Sequence, residues 1–251
     1  MLLRRLIPSL LLRRGRLVKG TAFHEHRDAG GPETTARAHN AQSADEIVIL
    51  DIDASRENRP PDFEALRRVA AECFMPVTFG GGIRSRDDAA RAMDAGADKL
   101  TLTTTALDNP RLIDDLAHLL GAQAVVLGID VMRLAGRPKI YDYRTDQIHK
   151  QRELMAWIDE AMNRGAGEIR LMSADREGRR EGMDIELVSE VVSRAKVPVI
   201  AEGGAGILDH LAEALQAGAS GVAVGTMLVF SDNNLVKIKR FLRSRGCEMR
   251  A

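Results

Sequence analysis

The stretch Pro76–Thr104 occurs a second time as Pro198–Thr226, in an alignment that needs no gap and a shift of 122 residues (198 − 76). Both copies begin with Pro-Val and a short apolar run, pass through a glycine turn, and end with an Ala-Gly-Ala turn before a second apolar run. The shift is close to half of the 251 residues in the chain. Because internal repetition identifies repeated architectures, the chain is predicted to consist of two fused half-units.

Eight short apolar runs alternate along the chain with stretches of helical periodicity. Such runs are typical of strands that are buried on both faces of a parallel sheet. They are Leu6–Leu12, Ile47–Ile52, Pro76–Phe79, Lys99–Thr103, Ala124–Ile129, Glu168–Met172, Val197–Ala201 and Gly221–Val224. This order predicts an α/β fold, a single (β/α)8 TIM barrel domain over residues 1–251 built from two duplicated half-barrels. An open doubly wound sheet is the alternative, and the half-chain repeat favours a closed barrel.

The two longest irregular segments, Lys19–Glu33 and Arg133–Gln151, follow the first and fifth predicted strands. They hold corresponding places in the two halves. Because loops after barrel strands carry the working residues of such folds, we expect both segments to be loops on the active face.

The composition excludes several classes of function. Formal net charge is zero and the pI is near 7, so no overall field attracts the chain to nucleic acid or to a membrane surface. Two cysteines are too few for a disulfide framework, and we expect a cytoplasmic protein. The N-terminal apolar run is broken by Pro8 and Ser9, which favours a buried strand over a signal peptide.

Glycine turns follow the third and seventh predicted strands, at Gly81–Gly82 and Gly203–Gly204. The fourth and eighth strands end at Thr103–Thr104 and Gly225–Thr226. Glycine lets a backbone approach an anion closely, although one such turn alone is equally well explained by tight-turn geometry. Two turns at symmetric places predict two phosphate sites, and hence a phosphorylated ligand with an anionic group at each end.

Aspartates at predicted strand ends are the candidates for acid–base chemistry or substrate binding. They are Asp51 and Asp53, Asp130, and Asp175. Asp130 closes an otherwise apolar strand, which favours a functional role over a helix cap or a loop ion pair. Asp51 and Asp53 point to opposite faces, so at most one of them enters the barrel.

Metal and cofactor sites are not predicted. His24 and His26 flank Glu25 without a third ligand at usable spacing, and the remaining histidines, among them His39, are expected at the surface. The sequence contains no Walker motif and no dinucleotide fingerprint.

Several motifs resemble those of a known family over essentially the whole chain: the cyclase subunit of imidazole glycerol phosphate synthase, from histidine biosynthesis. In chain order they are IPSLLLRRGRLVKG, EIVILDIDAS, FGGGI, GADK, GAGEI, DREG and GGAG. The resemblance implies a barrel of duplicated half-barrels with a phosphate site in each half.

The resemblance also implies a partner. In this family a separate glutaminase docks on the amino-terminal face of the barrel, and its ammonia travels through the barrel to the active face. The family's ring of charged residues at the tunnel entrance is matched by Arg5, Glu46, Lys99 and Glu168. Without the resemblance, these four residues would be interpreted as surface salt bridges.

The catalytic residues that the resemblance implies are only partly present. The family uses two aspartates as acid and base: Asp130 matches the second, but Leu11 stands in place of the first. Leucine exchanges no proton, and loss of such a group costs about 10²–10⁴-fold in rate. Lys19 matches a catalytic loop lysine. Thr103 and Glu202 replace the family's asparagine and serine, and a carboxylate at position 202 repels phosphate unless it is paired or protonated.

These departures, with the motifs PSLLL, DIDAS and Cys73–Pro76, resemble a paralogous branch from surface-polysaccharide loci. That resemblance implies a barrel that passes ammonia to a sugar amidotransferase, which turns an N-acetyl sugar into an acetamidino sugar. The first hypothesis is therefore an ammonia-conducting barrel that binds a phosphorylated or nucleotide-linked ligand. The alternative is a true cyclase–lyase that forms imidazole glycerol phosphate and aminoimidazole carboxamide ribotide. A third is another phosphate-binding barrel isomerase.

Overall fold

Residues 3–250 are described by the structure, a computed structural model, and they form twelve strands and ten helices. The strands are β1 (Arg5–Arg13), β2 (Arg16–Thr21), β3 (His24–Gly30), β4 (Ile47–Asp51), β5 (Val77–Gly80), β6 (Lys99–Leu102), β7 (Val125–Leu134), β8 (Arg137–Asp142), β9 (Gln147–Ile148), β10 (Glu168–Ser173), β11 (Val199–Glu202) and β12 (Gly221–Val224). The helices are α1 (Pro32–Ala41), α2 (Phe63–Ala70), α3 (Arg86–Asp94), α4 (Thr104–Asp108), α5 (Arg111–Leu120), α6 (Leu154–Asn163), α7 (Ile185–Arg194), α8 (Leu208–Gln216), α9 (Thr226–Val229) and α10 (Leu235–Ser244).

Eight parallel strands close into a barrel. Their order is β10-β11-β12-β1-β4-β5-β6-β7, and β7 pairs with β10 to complete the ring. Helices follow the strands and cover the outside, so both faces of every barrel strand are buried and near-continuous apolar runs are required. The predicted (β/α)8 barrel is confirmed, and all eight predicted strands fall on barrel strands.

The apolar residues separate into two clusters. The larger one packs the outward faces of the strands against the helices and contains the fully buried Trp157 of α6. The smaller one lies in the barrel interior and consists of Ile7, Val48, Ile200 and Ala223. Alternation along a strand produces this division, because successive side chains point to opposite faces.

The two halves share backbone geometry at their glycine turns. Gly81 and Gly203 have φ angles of +95° and +98°, and the following glycines have +79° and +91°. A Cβ at Gly81 would lie 2.1 Å from the carbonyl oxygen of Asp51. Glycine is therefore required there both for the left-handed φ and for the close approach of two backbones.

The two segments predicted as loops on the active face do border the cleft there, but the prediction that they are irregular was wrong. The segment after β1 folds into the antiparallel hairpin of β2 and β3, and the segment after β7 forms β8 and β9. Both segments extend barrel strands at the carboxyl-terminal end. His39 was also placed wrongly: it is buried, and burial lowers the pKa of its imidazole to about 4.

Candidate active site

Four charged side chains close the amino-terminal mouth of the barrel. Arg5, at the start of β1, donates hydrogen bonds to Glu46 (Nη1 to Oε2, 2.7 Å) and Glu168 (Nη2 to Oε2, 2.5 Å). Lys99, at the start of β6, pairs with the same two carboxylates at 2.9 and 3.3 Å. The structure thus brings together all four residues that the resemblance grouped. They are called the charged ring below.

The charged ring is buried and electrically balanced. Arg5, Glu46 and Glu168 are almost inaccessible, and the two cations match the two carboxylates. Burial opposes ionisation of Glu46, but Lys99 and Arg5 outweigh it and hold the pKa of Glu46 below its ordinary value. Because a buried charge that loses its partner costs about 3–5 kcal/mol, the ring strongly favours its paired state.

A second ion pair joins two neighbouring strands beyond the apolar cluster. Nε of Arg170, on β10, donates to Oε2 of Glu202, on β11, at 2.6 Å, and both residues are buried. Burial opposes ionisation of Glu202, but Arg170, assisted by Lys19, outweighs it and lowers the pKa of the Glu202 carboxyl. Glu202 is therefore a paired carboxylate. Arg170 and Glu202 are called the inner pair below.

A cleft opens at the carboxyl-terminal end of the barrel and occupies about 780 Å³, counting the open space at its mouth. The predicted site residues that line it are Leu11, Asp51, Gly81, Gly82, Thr103, Thr104 and Asp130. Arg170 forms part of its floor, and Phe23, His26 and Tyr143 border it from the two strand extensions.

Asp130 is the acid–base group that the cleft favours most. Burial is the main cause that raises the pKa of this carboxyl to about 7. The charge of Arg170 lowers this pKa, whereas the charges of Glu202 and Asp142 raise it. A carboxyl group with a pKa near neutrality can both accept and donate a proton at working pH.

Leu11 borders the same cleft and is buried. Two other carboxyl groups, those of Asp51 and Glu202, could serve as the second acid–base group, but each is held in an ion pair. Asp51 accepts two hydrogen bonds of 2.7 Å from Arg59, and Glu202 belongs to the inner pair. Asp130 is therefore the one cleft-lining carboxyl for which a raised pKa is found among residues 3–250.

The two predicted phosphate sites differ in their surroundings. The first, at Gly81, Gly82 and Thr104, opens into the cleft beside Ser55. The second lies in a smaller pocket next to the cleft, where Gly203, Gly204, Gly225 and Thr226 meet Lys19, Glu177 and Glu202. The structure thus assembles both glycine groups at the active face, each beside an ion pair: Asp51 with Arg59 at the first and Lys19 with Glu177 at the second.

Lys19 is not part of a loose loop. It belongs to β2, is buried, and donates from Nζ to Oε1 of Glu177 at 3.0 Å. Its ammonium group packs over Gly225, where an added Cβ would lie 2.4 Å from Nζ. Lys19 therefore faces the second glycine group.

Two predicted aspartates lie away from both pockets. Asp175 accepts a hydrogen bond from the backbone N–H of Arg133 at 3.2 Å, and Asp53 pairs with Arg13 at 2.9 Å. Their contacts tie strand extensions to the barrel.

Arg170 and Glu177 were missed as site residues in the sequence analysis. Arg170 was detectable as a charge inside an apolar strand, EIRLMS. Glu177 was detectable as part of the motif DREG, which follows β10.

Metal ligands and membrane spans were searched for across residues 3–250. No cluster of three or more His, Cys, Asp or Glu side chains there has the arrangement of a metal site. No helix in this part of the chain is long and apolar enough to cross a membrane.

A closed barrel of duplicated halves, with a charged ring at one mouth and glycine-lined pockets at the other, defines a narrow class of protein. The chain matches the family of histidine biosynthesis proteins over residues 5–234. It belongs to that family.

Relatives within the family are similar over their whole length. The chain is 40% identical over 250 residues to the imidazole glycerol phosphate synthase subunit HisF of Exiguobacterium sibiricum, covering 100% of both chains. It is 39% identical over 250 residues to the protein of the same name from Wolinella succinogenes, covering 99% of this chain and 98% of the relative. The resemblance to the cyclase subunit is confirmed.

Titration of Asp130 is predicted to make the free energy of unfolding depend on pH. Its carboxyl loses a proton near pH 7 when folded but near 3.8, its ordinary value, when unfolded. Between these values the folded state binds more protons, so stability falls as pH rises. Asp130→Asn has no carboxyl group at this position and should not lose this stability. The difference in free energy of unfolding, variant minus wild type, should therefore rise by about 2–3 kcal/mol between about pH 5 and about pH 8 in denaturant titrations.

The exposed Asp232 provides a matched control. Asp232→Asn should follow the wild-type pH dependence. Parallel curves for Asp130→Asn and wild type would contradict a raised pKa at Asp130.

Proposed function

We propose that this chain is the barrel subunit of a glutamine-dependent synthase of the imidazole glycerol phosphate synthase type. It receives ammonia from a glutaminase at the amino-terminal face and delivers it to a phosphorylated ligand in the carboxyl-terminal cleft. The observation that best supports this proposal is that one barrel has a balanced charged ring at one mouth and a buried carboxyl group of pKa about 7 at the other.

The electrostatics of the barrel interior support transport of neutral ammonia. The charged ring carries two cations and two carboxylates, and the inner pair carries one of each. Between them lies the apolar cluster around Ile7. An interior without net charge offers no strong trap for an ion, and its apolar section favours the uncharged form of ammonia.

Asp130 is the proposed proton-transfer group in the cleft. Its near-neutral pKa suits a group that takes a proton from the incoming nitrogen and returns one to a leaving group. Arg170, on the floor of the same cleft, favours the ionised form of Asp130 and so prevents a still higher pKa.

The cyclase–lyase reaction of histidine biosynthesis is the first candidate for the chemistry in the cleft. It is supported by whole-length relatives that carry the synthase name. In this reaction the phosphoribulosyl aminoimidazole substrate and ammonia give imidazole glycerol phosphate and aminoimidazole carboxamide ribotide. Lys19 and the two glycine groups are its proposed substrate contacts.

Sugar amidination is a second candidate, and Leu11 is the observation that favours it. A barrel that only conducts ammonia to a sugar amidotransferase needs no second acid–base group. The buried leucine at the cleft supplies none.

Restoring an acidic group at position 11 tests the cyclase reaction. We expect low turnover of the histidine-pathway substrate with ammonium by the wild-type chain, because one acid–base group is missing. Leu11→Asp should raise turnover by about 10²-fold or more. Leu11→Asn, similar in size but unable to exchange a proton in this range, should not. Absence of turnover in all three folded proteins would reject the cyclase reaction and leave sugar amidination.

Opening the charged ring tests the ammonia entrance. Lys99→Ala should lower glutamine-driven activity severalfold at saturating glutaminase, because the ring loses one of its two cations and no longer controls the mouth. Activity driven by added ammonium should change little, since ammonium also enters from the open cleft.

Lys196 is the matched control, since it is exposed and lies three residues before β11 at the same barrel face (199 − 196). Lys196→Ala should leave both activities unchanged. An equal loss of both activities in Lys99→Ala would mean that Lys99 only stabilises the fold.

A further inference from the structure

Arg170 places a guanidinium group at the floor of the cleft. It is 3% exposed, and on β10 it lies opposite Gly128 of β7. A Cβ at Gly128 would lie 2.2 Å from Oγ1 of Thr103 and 3.0 Å from Oγ1 of Thr101. Because Gly128 has no side chain, both threonine hydroxyls come close to the strand that pairs with β10. The floor of the cleft is therefore polar, although the strands around it are mainly apolar.

Arg170 has hydrogen-bond donors that the folded chain does not use. A guanidinium group carries five N–H donors. Only Nε has a partner among residues 3–250, the Oε2 atom of Glu202 at 2.6 Å. The four N–H groups on Nη1 and Nη2 have no hydrogen-bond partner in this part of the chain. Buried polar groups are nearly always paired, so these donors point to a ligand group that accepts hydrogen bonds.

Thr101 supplies a second unpartnered group in the same cleft. It lies on β6, on the other side of β7 from Arg170, and both residues line the cleft. Its Oγ1 atom is buried and has no hydrogen-bond partner within the described residues. Since a hydroxyl group can donate a hydrogen bond, an acceptor at the floor would satisfy Thr101 as well.

The charges at the floor favour a neutral acceptor over an anion. Glu202 already compensates Arg170, and the charges of both residues act on the carboxyl group of Asp130. A further carboxylate or phosphate at the floor would meet two acidic groups and one cation, and it would be repelled. The phosphates of the ligand are therefore expected at the two glycine groups, and a carbonyl oxygen fits the floor.

We propose that Arg170 is a catalytic residue that holds a carbonyl oxygen of the ligand and stabilises the negative charge that forms there when ammonia adds to the carbonyl carbon. The ligand class is a phosphorylated compound with a ketone or amide carbonyl. This inference rests on the proposed function for the arrival of ammonia and of a phosphorylated ligand in the cleft. It favours chemistry in the cleft over a barrel that only conducts ammonia.

The addition step balances without a further reactant. The lone pair of ammonia forms the new C–N bond, and the π electrons of the carbonyl group move to its oxygen, to which Arg170 donates hydrogen bonds. The ionised carboxylate of Asp130 takes a proton from the added nitrogen and returns it to the oxygen, which gives a neutral carbinolamine. Removing one preorganised donor from a developing oxyanion typically costs about 10²–10³-fold in kcat.

A matched pair of probes tests the contact in the unaltered chain. Ribulose 5-phosphate carries a carbonyl group at C2, and 2-deoxyribitol 5-phosphate has a CH2 group there but is otherwise identical. Calorimetry should show that the ketone binds about tenfold or more tightly, because the other probe cannot accept the hydrogen bond from a charged donor. The infrared carbonyl stretch of ribulose 5-phosphate labelled with ¹³C at C2 should shift to lower frequency on binding.

The double variant Arg170→Met with Glu202→Gln removes both members of the inner pair, so neither charge is left buried without its partner. Because Arg170 lowers the pKa of Asp130 and Glu202 raises it, the two changes have opposite effects on that group. The variant should bind the two probes equally and lose the infrared shift. In the Leu11→Asp background it should lower kcat for the histidine-pathway substrate with ammonium by about 10²-fold, with little change in KM.

Two further variants complete the test. Arg179, exposed in the loop after β10, is the control, and Arg179→Met should retain both the probe preference and the infrared shift. If the double variant does not fold, Arg170→Lys replaces it, because lysine keeps a cation beside Glu202 but lacks the Nη donors.

The other outcomes separate the inference from the proposed function. Equal affinity of wild type for the two probes, without an infrared shift, would overturn the inference and leave the proposed function intact. A preference that persists without the guanidinium group would show that the carbonyl lies away from Arg170 and would also overturn the inference. If neither probe bound to wild type, the inference would fall together with the phosphorylated ligand of the proposed function.

Discussion

Closure of the barrel by the pairing of β7 with β10 is the constraint on which the rest of the structure depends. A closed parallel barrel turns alternate side chains of every strand into a narrow interior. Here that interior contains the charged ring and the inner pair, six ionised side chains in all. Burial of an unpaired charge costs several kcal/mol, so each of these six side chains has an oppositely charged partner from another part of the barrel. The result is a charge-balanced interior with a different chemistry at each end.

The same closure explains why the two half-sites could diverge. Each half contributes a glycine turn with the same backbone geometry, so the scaffold of the two sites is fixed by the fold. The side chains around the turns are not fixed in this way. In the second half, Glu177 and Glu202 occur together with Lys19 and Arg170, which form two ion pairs. Each carboxylate of the second site is therefore matched by a cation.

The barrel could be predicted from the sequence because repetition and burial leave clear patterns. Eight apolar runs and a half-chain repeat specify the strands and their closure. The β2–β3 hairpin has no such pattern. Its second strand, HEHRDAG, is polar and largely exposed, so the segment was predicted to be a loop. His39 was misplaced for a related reason, since helix α1 is polar along most of its length and gives little sign of its buried face.

The candidate site was predictable only where a residue type carries meaning by itself. Glycines and strand-end aspartates could be located by position, whereas Leu11 and the charged ring were identified only through the resemblance to the family. The inner pair could not, because Arg170 and Glu202 are 32 residues apart in the chain and become neighbours only through the strand pairing. The compensation of Asp51 by Arg59 is likewise a property of the folded loop.

Passage of ammonia through the barrel from the charged ring to the cleft is the step on which the proposed function depends. An isotope competition measures it directly: the complex of this chain with the proposed glutaminase partner turns over glutamine labelled with ¹⁵N in the side-chain amide, in the presence of excess unlabelled ammonium. We expect the nitrogen incorporated into the product to be mainly ¹⁵N, because ammonia released at the ring does not mix with the solvent. Incorporation in proportion to the bulk ammonium pool would show that ammonia does not pass through the barrel.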